Sequence, residues 1–221
     1  MTMNIETLRE QQPPIELRYD KKPNTCPVCH YAVDARIVTA HRAEYWAQVV
    51  YQCPRAECLR FFIGRYFTTT EPLILHSCEP VCPKPPELSV YVRSISPNFD
   101  AVYGESSAAE QLGLSRVCGA GYRKALEFLI KDYAASKVDS DEDREKIRAE
   151  WLGQVIKNRI DDARIQSVAE RAAWLGNDET HYVRLWTDLD IRDLKTLIDL
   201  VVRLIESEEL TKAYEARMPK E

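Results

Sequence analysis

The pattern of apolar and polar positions changes near residue 100. Before that point, apolar residues form short runs interrupted by prolines, and 11 of the 12 prolines lie there. After it, apolar residues recur at intervals of three and four, the spacing of one face of an α-helix. Because proline interrupts helices, the contrast predicts strands and turns first and helices afterwards. The expected fold class is α+β: a small β module followed by an all-α antiparallel helical bundle.

Three divisions of the chain follow from this pattern. Residues 1–22 are polar, contain Pro13-Pro14 and have no clear period, so we expect a flexible or loosely docked arm. Residues 23–95 form the predicted β module, and residues 96–221 the predicted bundle. Strands are expected at residues 37–38, 45–51 and 59–66, with a further extended segment at 88–92 and a linker at 95–99.

In the second half of the chain, helical spacing of the apolar residues predicts amphipathic helices. Such helices are expected at residues 105–112, 121–133, 147–160 and 162–175, and from Ile191 onward. Trp151 and Trp174 are expected to be buried, in the third and the fourth of these helices respectively. A capping box at residues 187–190 is expected to open the last one, and residues 208–218 are expected to form a frayed helical tail.

Two cysteine pairs mark the β module. Cys26 and Cys29 are separated by two residues, Cys53 and Cys58 by four, and 23 residues lie between the pairs. Two short turns that each supply two soft ligands suit tetrahedral Zn²⁺, so the spacing predicts a zinc-ribbon-like module. Because four thiolates leave no open coordination position, the expected role of the metal is structural.

Other arrangements of these ligands remain open. The four cysteines could be unrelated, and His30 or His41 could replace one of them as a ligand. Cys78 and Cys82, beside His76, could donate a ligand or form a second, weak site, although they are more simply interpreted as incidental thiols on a loop.

The run from Trp174 to Tyr182 interrupts the helical pattern. Gly176 could end one helix in the left-handed conformation, and Asn177 or Asp178 could cap the next. His181 would then lie near a helix N-terminus, whose positive dipole end favours a neutral imidazole. Catalysis by His181 is one interpretation, and a purely structural histidine at a helix joint is the other.

Three further polar residues are candidates for a site. Arg123 and Glu127 are one turn apart on a predicted helix, and Arg171 lies just before the joint. The alternative for Arg123 and Glu127 is a surface ion pair, which contributes a few tenths of a kcal/mol.

Composition narrows the classes of function. The net charge is −5; residues 1–100 hold equal numbers of acidic and basic residues, so the acidic surplus lies in residues 101–221. This balance argues against binding of nucleic acid by overall charge, although a local basic patch remains open. No signal-peptide pattern or membrane-length apolar run occurs, so the expected location is cytoplasmic, without membrane association. In that compartment cysteines are metal ligands or free thiols more often than disulfides.

Two motifs resemble a known family. Residues 121–127, Gly-Tyr-Arg-Lys-Ala-Leu-Glu, together with Arg171, Gly176-Asn177 and His181, resemble the bacterial domain of unknown function 4145. The resemblance spans about residues 100–210, and some members carry a cysteine-rich N-terminal module.

The resemblance implies a HEPN-like helical bundle that forms a homodimer. Many HEPN bundles are metal-independent RNases in toxin, phage-defence and RNA-processing systems, with an arginine, a polar residue, three further residues and a histidine. Here Asn177 matches the polar position and His181 the histidine, whereas Gly176 occupies the arginine position. Arg123 or Arg171 could supply the missing guanidinium in space.

The leading functional hypothesis is a zinc-containing binding module, non-catalytic or weakly catalytic, in nucleic-acid-related or phage-defence biology. Its candidate partners are RNA, DNA or a protein. The alternative is an RNase in which His181 is the general acid/base. A third hypothesis, an enzyme of unrelated chemistry that uses Glu127 and His181, has the least support.

Overall fold

A computed structural model describes residues 2–5, 15–69 and 71–219 of the chain. Two compact units are present, Met1–Lys84 and Pro85–Glu221. The predicted boundary between residues 95 and 96 lies within the second unit. Residues 85–95 belong there because Val92 is fully buried in the core of the helices.

The first unit is built on antiparallel strands. In its described residues the strands are β1 (Thr2–Ile5), β2 (Ile15–Arg18), β3 (Arg36–Arg42), β4 (Trp46–Gln52), β5 (Phe61–Phe67) and β6 (Ile74–Glu79). Strands β3 to β6 form one sheet in chain order, and β1 pairs with β2 separately. The three predicted strands correspond to β3, β4 and β5. Strand β6 was not predicted, because it lies between Pro72 and Pro80 in a stretch that resembles a loop.

One face of this sheet forms the core of the first unit. Strand β4 buries Ala47, Val49 and Tyr51, and β5 buries Phe62 and Tyr66, in the alternation expected of a half-buried sheet. The hydroxyl groups of Tyr51 and Tyr66 are 2.7 Å apart and hydrogen-bonded. Both buried phenols therefore satisfy their polar atoms.

Part of the predicted N-terminal arm pairs with the rest of the unit. Tyr19 is buried and forms an isolated bridge with Leu73, and the backbone N–H of Asp20 donates to the Leu73 carbonyl over 2.9 Å. The prediction of an arm also covers residues 6–14, which lie outside the described residues.

The second unit is helical. Its helices are α1 (Val90–Ile95), α2 (Pro97–Gln111), α3 (Ser115–Ala135), α4 (Asp141–Ala149), α5 (Leu152–Arg159), α6 (Ala163–Asp178) and α7 (Ile191–Arg217). Helix α3 is the central element, since it packs against α2, α4, α5, α6 and α7. Its buried face is the predicted one: Tyr122, Ala125, Leu126, Leu129, Ile130 and Tyr133 are all shielded from solvent.

Residues 88–99 differ from their prediction. The extended segment and the linker are replaced by α1 and the start of α2, which meet at Ser96. The Ser96 hydroxyl accepts the N–H of Phe99, and Pro97 occupies the first turn of α2, where its missing N–H is harmless. Pro97 therefore begins a helix, although prolines in this region predicted an interruption of helical structure.

The prediction that Trp151 and Trp174 are buried is wrong. The predicted helix at residues 147–160 is divided into α4 and α5 by extended backbone at Glu150 and Trp151, and Trp151 is 82% exposed. Trp174, on α6, is 51% exposed. The helical spacing predicts both indoles on an apolar face, but Trp151 lies at the break before α5 and Trp174 lies outside the buried residues of α6.

Helix α7 begins directly after the predicted capping box, and its N-cap is the last residue of that box instead of the first. Asp190 is the N-cap, and Asp190 and Asp193 each accept a backbone N–H of the other. The helix continues without interruption through the predicted tail to Arg217. Among the described helices, none has the length and apolar character that crossing a membrane requires.

Candidate functional site

The four predicted metal ligands lie together in the first unit. The Sγ atoms of Cys26, Cys29, Cys53 and Cys58 are all within 4.8 Å of one another. The Cys26–Cys58 separation is 3.9 Å and the Cys29–Cys53 separation 3.8 Å, well beyond a disulfide bond, and all four are free thiols. Residues more than 20 positions apart in sequence thus converge on one point and could hold a metal ion.

The two turns that carry these cysteines have the same backbone shape at their second cysteine. The residue after it, His30 in one turn and Leu59 in the other, has a positive φ, of 60° and 50° respectively. Each turn is closed by a backbone bond from its first cysteine: the N–H of Cys26 donates to Tyr31 and that of Cys53 to Arg60. The left-handed residue reverses the chain so that both thiols of a pair face the same side.

Burial and hydrogen bonds set the acidity of the thiols. Burial is the main reason why the pKa of Cys26 is raised and that of Cys53 is raised to about 12. Burial also works against ionisation of Cys29, but the backbone N–H of Tyr31 and the neighbouring cysteines outweigh it and lower its pKa. Without a cation, ionising Cys26 and Cys53 would be unfavourable, so a metal bound by these thiols would have to displace their protons.

An arginine missed by the sequence analysis joins the two turns. The guanidinium carbon of Arg55 lies 3.3 Å from the ring centroid of Tyr31, so a residue of the second turn stacks on a residue of the first. Arg55 also forms an ion pair with Glu57 at 3.3 Å. This contact places a positive charge beside the cysteine turns, and no spacing in the sequence indicates it.

The other ligands considered do not join the cluster. In the described part of the chain, the only close group of three or more such ligands is the four cysteines, without His30, His41, His76 or Cys82. Cys78 lies on β6 and packs against the core of the unit, rather than on a loop as predicted.

The predicted helix joint at Gly176 is wrong. Helix α6 continues through Gly176 and Asn177 to Asp178, because Gly176 has ordinary helical geometry and Asn177 caps nothing. His181 therefore follows the C-terminus of α6 instead of preceding a helix. That end of a helix is the negative end of its dipole, whereas the positive end was expected beside His181.

Close packing against α3, and not a helix end, explains why residue 176 is a glycine. A Cβ atom at this position would lie 2.7 Å from Cδ of Arg123 on α3, which is closer than real contacts allow. The Nε of Arg123 donates to Oδ1 of Asn177 over 2.8 Å. Gly176 thus leaves the space in which the Arg123 side chain lies, and Asn177 fixes the guanidinium there.

Glu127 belongs to the same cluster. Its carboxylate is 3.5 Å from Nη1 of Arg123 and 2.9 Å from Nζ of Lys131. Burial opposes ionisation of Glu127, but the hydrogen bond and charge of Lys131 outweigh it and lower the pKa of the carboxyl. The structure therefore brings together Arg123, Glu127 and Asn177 as a hydrogen-bonded set.

Arg171 and His181 lie apart from this set. Nη1 of Arg171 donates to the carbonyl and hydroxyl oxygens of Ser167, both at 2.7 Å, one turn earlier on α6. Arg171 also lines a cavity of about 490 Å³ with Trp174 and Trp186. His181 is exposed, and among the described residues no hydrogen bond connects it to Arg123, Glu127 or Asn177.

Asp178 is a buried residue that sequence reasoning assigned only to a cap. Its carboxylate accepts the backbone N–H groups of Leu185, at 2.6 Å, and Trp186, at 2.9 Å. Arg184 lies 3.7 Å from the same carboxylate and 2.7 Å from that of Glu179. Asp178 therefore fixes the loop between α6 and α7, which carries His181.

Comparison with known proteins gives no further assignment: no protein-family model, curated protein or solved structure matches this chain.

The role of Asp178 leads to a pH-dependent prediction. The N–H of Leu185 is the main cause of the lowered pKa of Asp178. Because the folded-state pKa is lower than the unfolded one, the stabilisation is complete above the ordinary carboxyl pKa, about 3.9, and is lost as the pH falls through the folded value. Asp178→Asn should therefore speed hydrogen exchange at the Leu185 and Trp186 amides at neutral pH. The control is Asp188→Asn, because Asp188 is an exposed carboxylate of the same loop. Equal exchange in both variants would contradict this role.

Proposed function

We propose that the chain is a zinc-stabilised binding module. The observation that carries the proposal is the convergence of four cysteine Sγ atoms within 4.8 Å. A tetrahedral site with Zn–S bonds of about 2.3 Å places its sulfur atoms about 3.8 Å apart. The Cys29–Cys53 and Cys26–Cys58 Sγ separations of 3.8 and 3.9 Å agree with that value.

The chemistry of the donors favours zinc in a structural role. Four thiolates are soft ligands and prefer zinc to the hard cations calcium and magnesium. A closed shell of four protein ligands leaves no position for a reacting water molecule. The first unit has a small core, and a metal that joins its two turns would add stability that so little buried surface does not supply.

The partner belongs to the same proposal. We infer nucleic-acid-related or defence biology from the resemblance of residues 121–127 and 171–181 to the HEPN-like family. In this proposal the helical unit forms a homodimer and the cysteine-containing unit recognises RNA, DNA or a protein. The charge balance supports a local binding surface over recognition by net charge, because the whole chain is acidic.

The metal is tested by removing one ligand. Protein purified without added metal should contain about one zinc per chain by elemental analysis. Cys53→Ser should lose the metal, and proteolysis should then degrade the first unit while the second unit, which has its own core, survives. Cys82→Ser is the matched control, since Cys82 lies outside the cluster. Metal retained in Cys53→Ser, or absent from the well-folded parent, would contradict the proposal.

One observation favours RNase activity as a second candidate. The position of the expected arginine is Gly176, and the Arg123 side chain lies directly against it and donates to Asn177. Arg123 could therefore hold a phosphate where the family has its arginine, with His181 as general acid/base. The exposed His181 does not bond to this set among the described residues, so we rank this candidate second.

The two candidates differ in a cleavage assay. Mixed single-stranded RNA is incubated with the protein in EDTA, and the ends of the products are analysed. The leading proposal predicts no cleavage above background. Cleavage that yields 2′,3′-cyclic phosphate ends and is lost in both His181→Ala and Arg123→Ala would instead establish the RNase. Arg116→Ala, an exposed arginine on the same helix as Arg123, should leave such cleavage unchanged.

A further inference from the structure

The face of the sheet opposite the core carries aromatic and cationic side chains. Since Ala47, Val49 and Tyr51 point into the core, strand alternation directs Trp46 and Val50 to the other side. On the neighbouring strand β5, Phe61 and Phe67 lie on that same side, because they pair with Gln52 and Trp46. We call this surface the open face.

Three rings form one corner of the open face. The Trp46 and Phe67 ring centroids are 4.5 Å apart, and the His76 ring lies 4.6 Å from Phe67 and 5.3 Å from Trp46. Phe61 lies at the other end of β5 and is 58% exposed. Aromatic surface is thus available at two points along one strand, separated by about 20 Å of extended chain.

Arg65 lies between these two points on the open face. Its guanidinium carbon is 5.1 Å from the Trp46 ring centroid, and its Nη1 is 3.0 Å from the Glu79 carboxylate. Its Nε is recessed and has no hydrogen-bond partner among the described residues. Because Nε is buried and Glu79 holds Nη1, the exposed remainder of the guanidinium is the part that is left for a phosphate oxygen.

The charge of the open face is opposite to that of the whole chain. Arg36 pairs with Gln52, so β3 adds a second guanidinium to the same side. On β6, Glu79 pairs with Ile63 and therefore also lies on the open face. Its negative charge is matched by Arg65, with which it forms an ion pair. A local surplus of positive charge therefore accompanies the rings.

We propose that the open face binds single-stranded nucleic acid. Unpaired bases stack on the Trp46–Phe67–His76 corner and on Phe61, and backbone phosphates contact Arg65 and Arg36. A duplex keeps its bases stacked inside and cannot use these rings. This inference rests on the proposed binding module and specifies its partner and surface. A few cations with stacking surfaces suffice for such binding, which agrees with the nearly neutral first hundred residues.

The test is fluorescence anisotropy with labelled oligo(dT), oligo(U) and a duplex of equal length, about 16 nucleotides. The full-length, metal-containing protein should bind both single strands more tightly than the duplex. Trp46→Ala and Phe67→Ala should each weaken binding about 5- to 150-fold. Arg65→Ala should weaken binding and reduce the slope of log affinity against log salt by about 1.

Matched variants separate stacking from folding. Phe67→Leu keeps apolar bulk but removes the flat ring, so it should resemble Phe67→Ala, and Trp174→Ala removes an exposed tryptophan of the helical unit and should bind as the parent does. Circular dichroism and zinc content confirm that each variant is folded.

Each remaining outcome overturns a different claim. If the open-face variants bind nucleic acid as tightly as the parent, the open face is not the binding surface, although nucleic acid remains the partner. Equal or tighter binding of the duplex overturns stacking as the mode of recognition. No binding by zinc-replete protein at about tens of micromolar overturns the nucleic-acid partner, while the metal-stabilised module stands.

Discussion

Convergence of four thiols on one point is the constraint on which the first unit depends. Cys53 follows β4 and Cys58 precedes β5, whereas Cys26 and Cys29 precede β3. Bringing their sulfur atoms within 4.8 Å therefore connects the β4–β5 turn to the segment before the sheet. Burial raises the pKa of Cys26 and Cys53, so ionisation of these two thiols is unfavourable without a cation beside them. The cysteine cluster thus lies at the end of the sheet where β4 turns into β5.

The helical unit is organised by a conventional apolar core, and its polar residues act locally. Gly176 makes room for Arg123, Asn177 orients it, and Asp178 fixes the following loop. Three consecutive residues at the end of α6 thus serve three different contacts. The arrangement explains why this short run departs from the helical pattern without breaking the helix. It also holds the Arg123 side chain beside Gly176 and Asn177.

The sequence allowed the fold class and the cysteine cluster to be predicted, because both depend on short-range spacing. Pairs of cysteines on tight turns restrict geometry strongly, and the buried face of α3 follows from periodicity alone. The role of Gly176 could not be predicted in this way, since the residue that requires it, Arg123, is 53 positions earlier. The prediction that Trp151 is buried was wrong for a related reason. The apolar pattern continues across the extended residues Glu150 and Trp151 and so does not indicate a break there.

The open face was also beyond sequence reasoning. Trp46, Phe67 and His76 come from three strands, and β6, which carries His76, was not predicted. Alternation within a strand indicates two faces but not which one is covered. Only the register of β4 with β5, and of β5 with β6, identifies the rings that meet.

The most direct measurement for the central claim is X-ray absorption at the zinc edge, on protein purified without added metal. A zinc ion held by Cys26, Cys29, Cys53 and Cys58 should show four sulfur neighbours at about 2.3 Å and no bonded nitrogen or oxygen. An absent zinc edge in folded protein would contradict this claim. A first shell with nitrogen at about 2.0 Å would also do so, because a histidine would then replace one of the four cysteines.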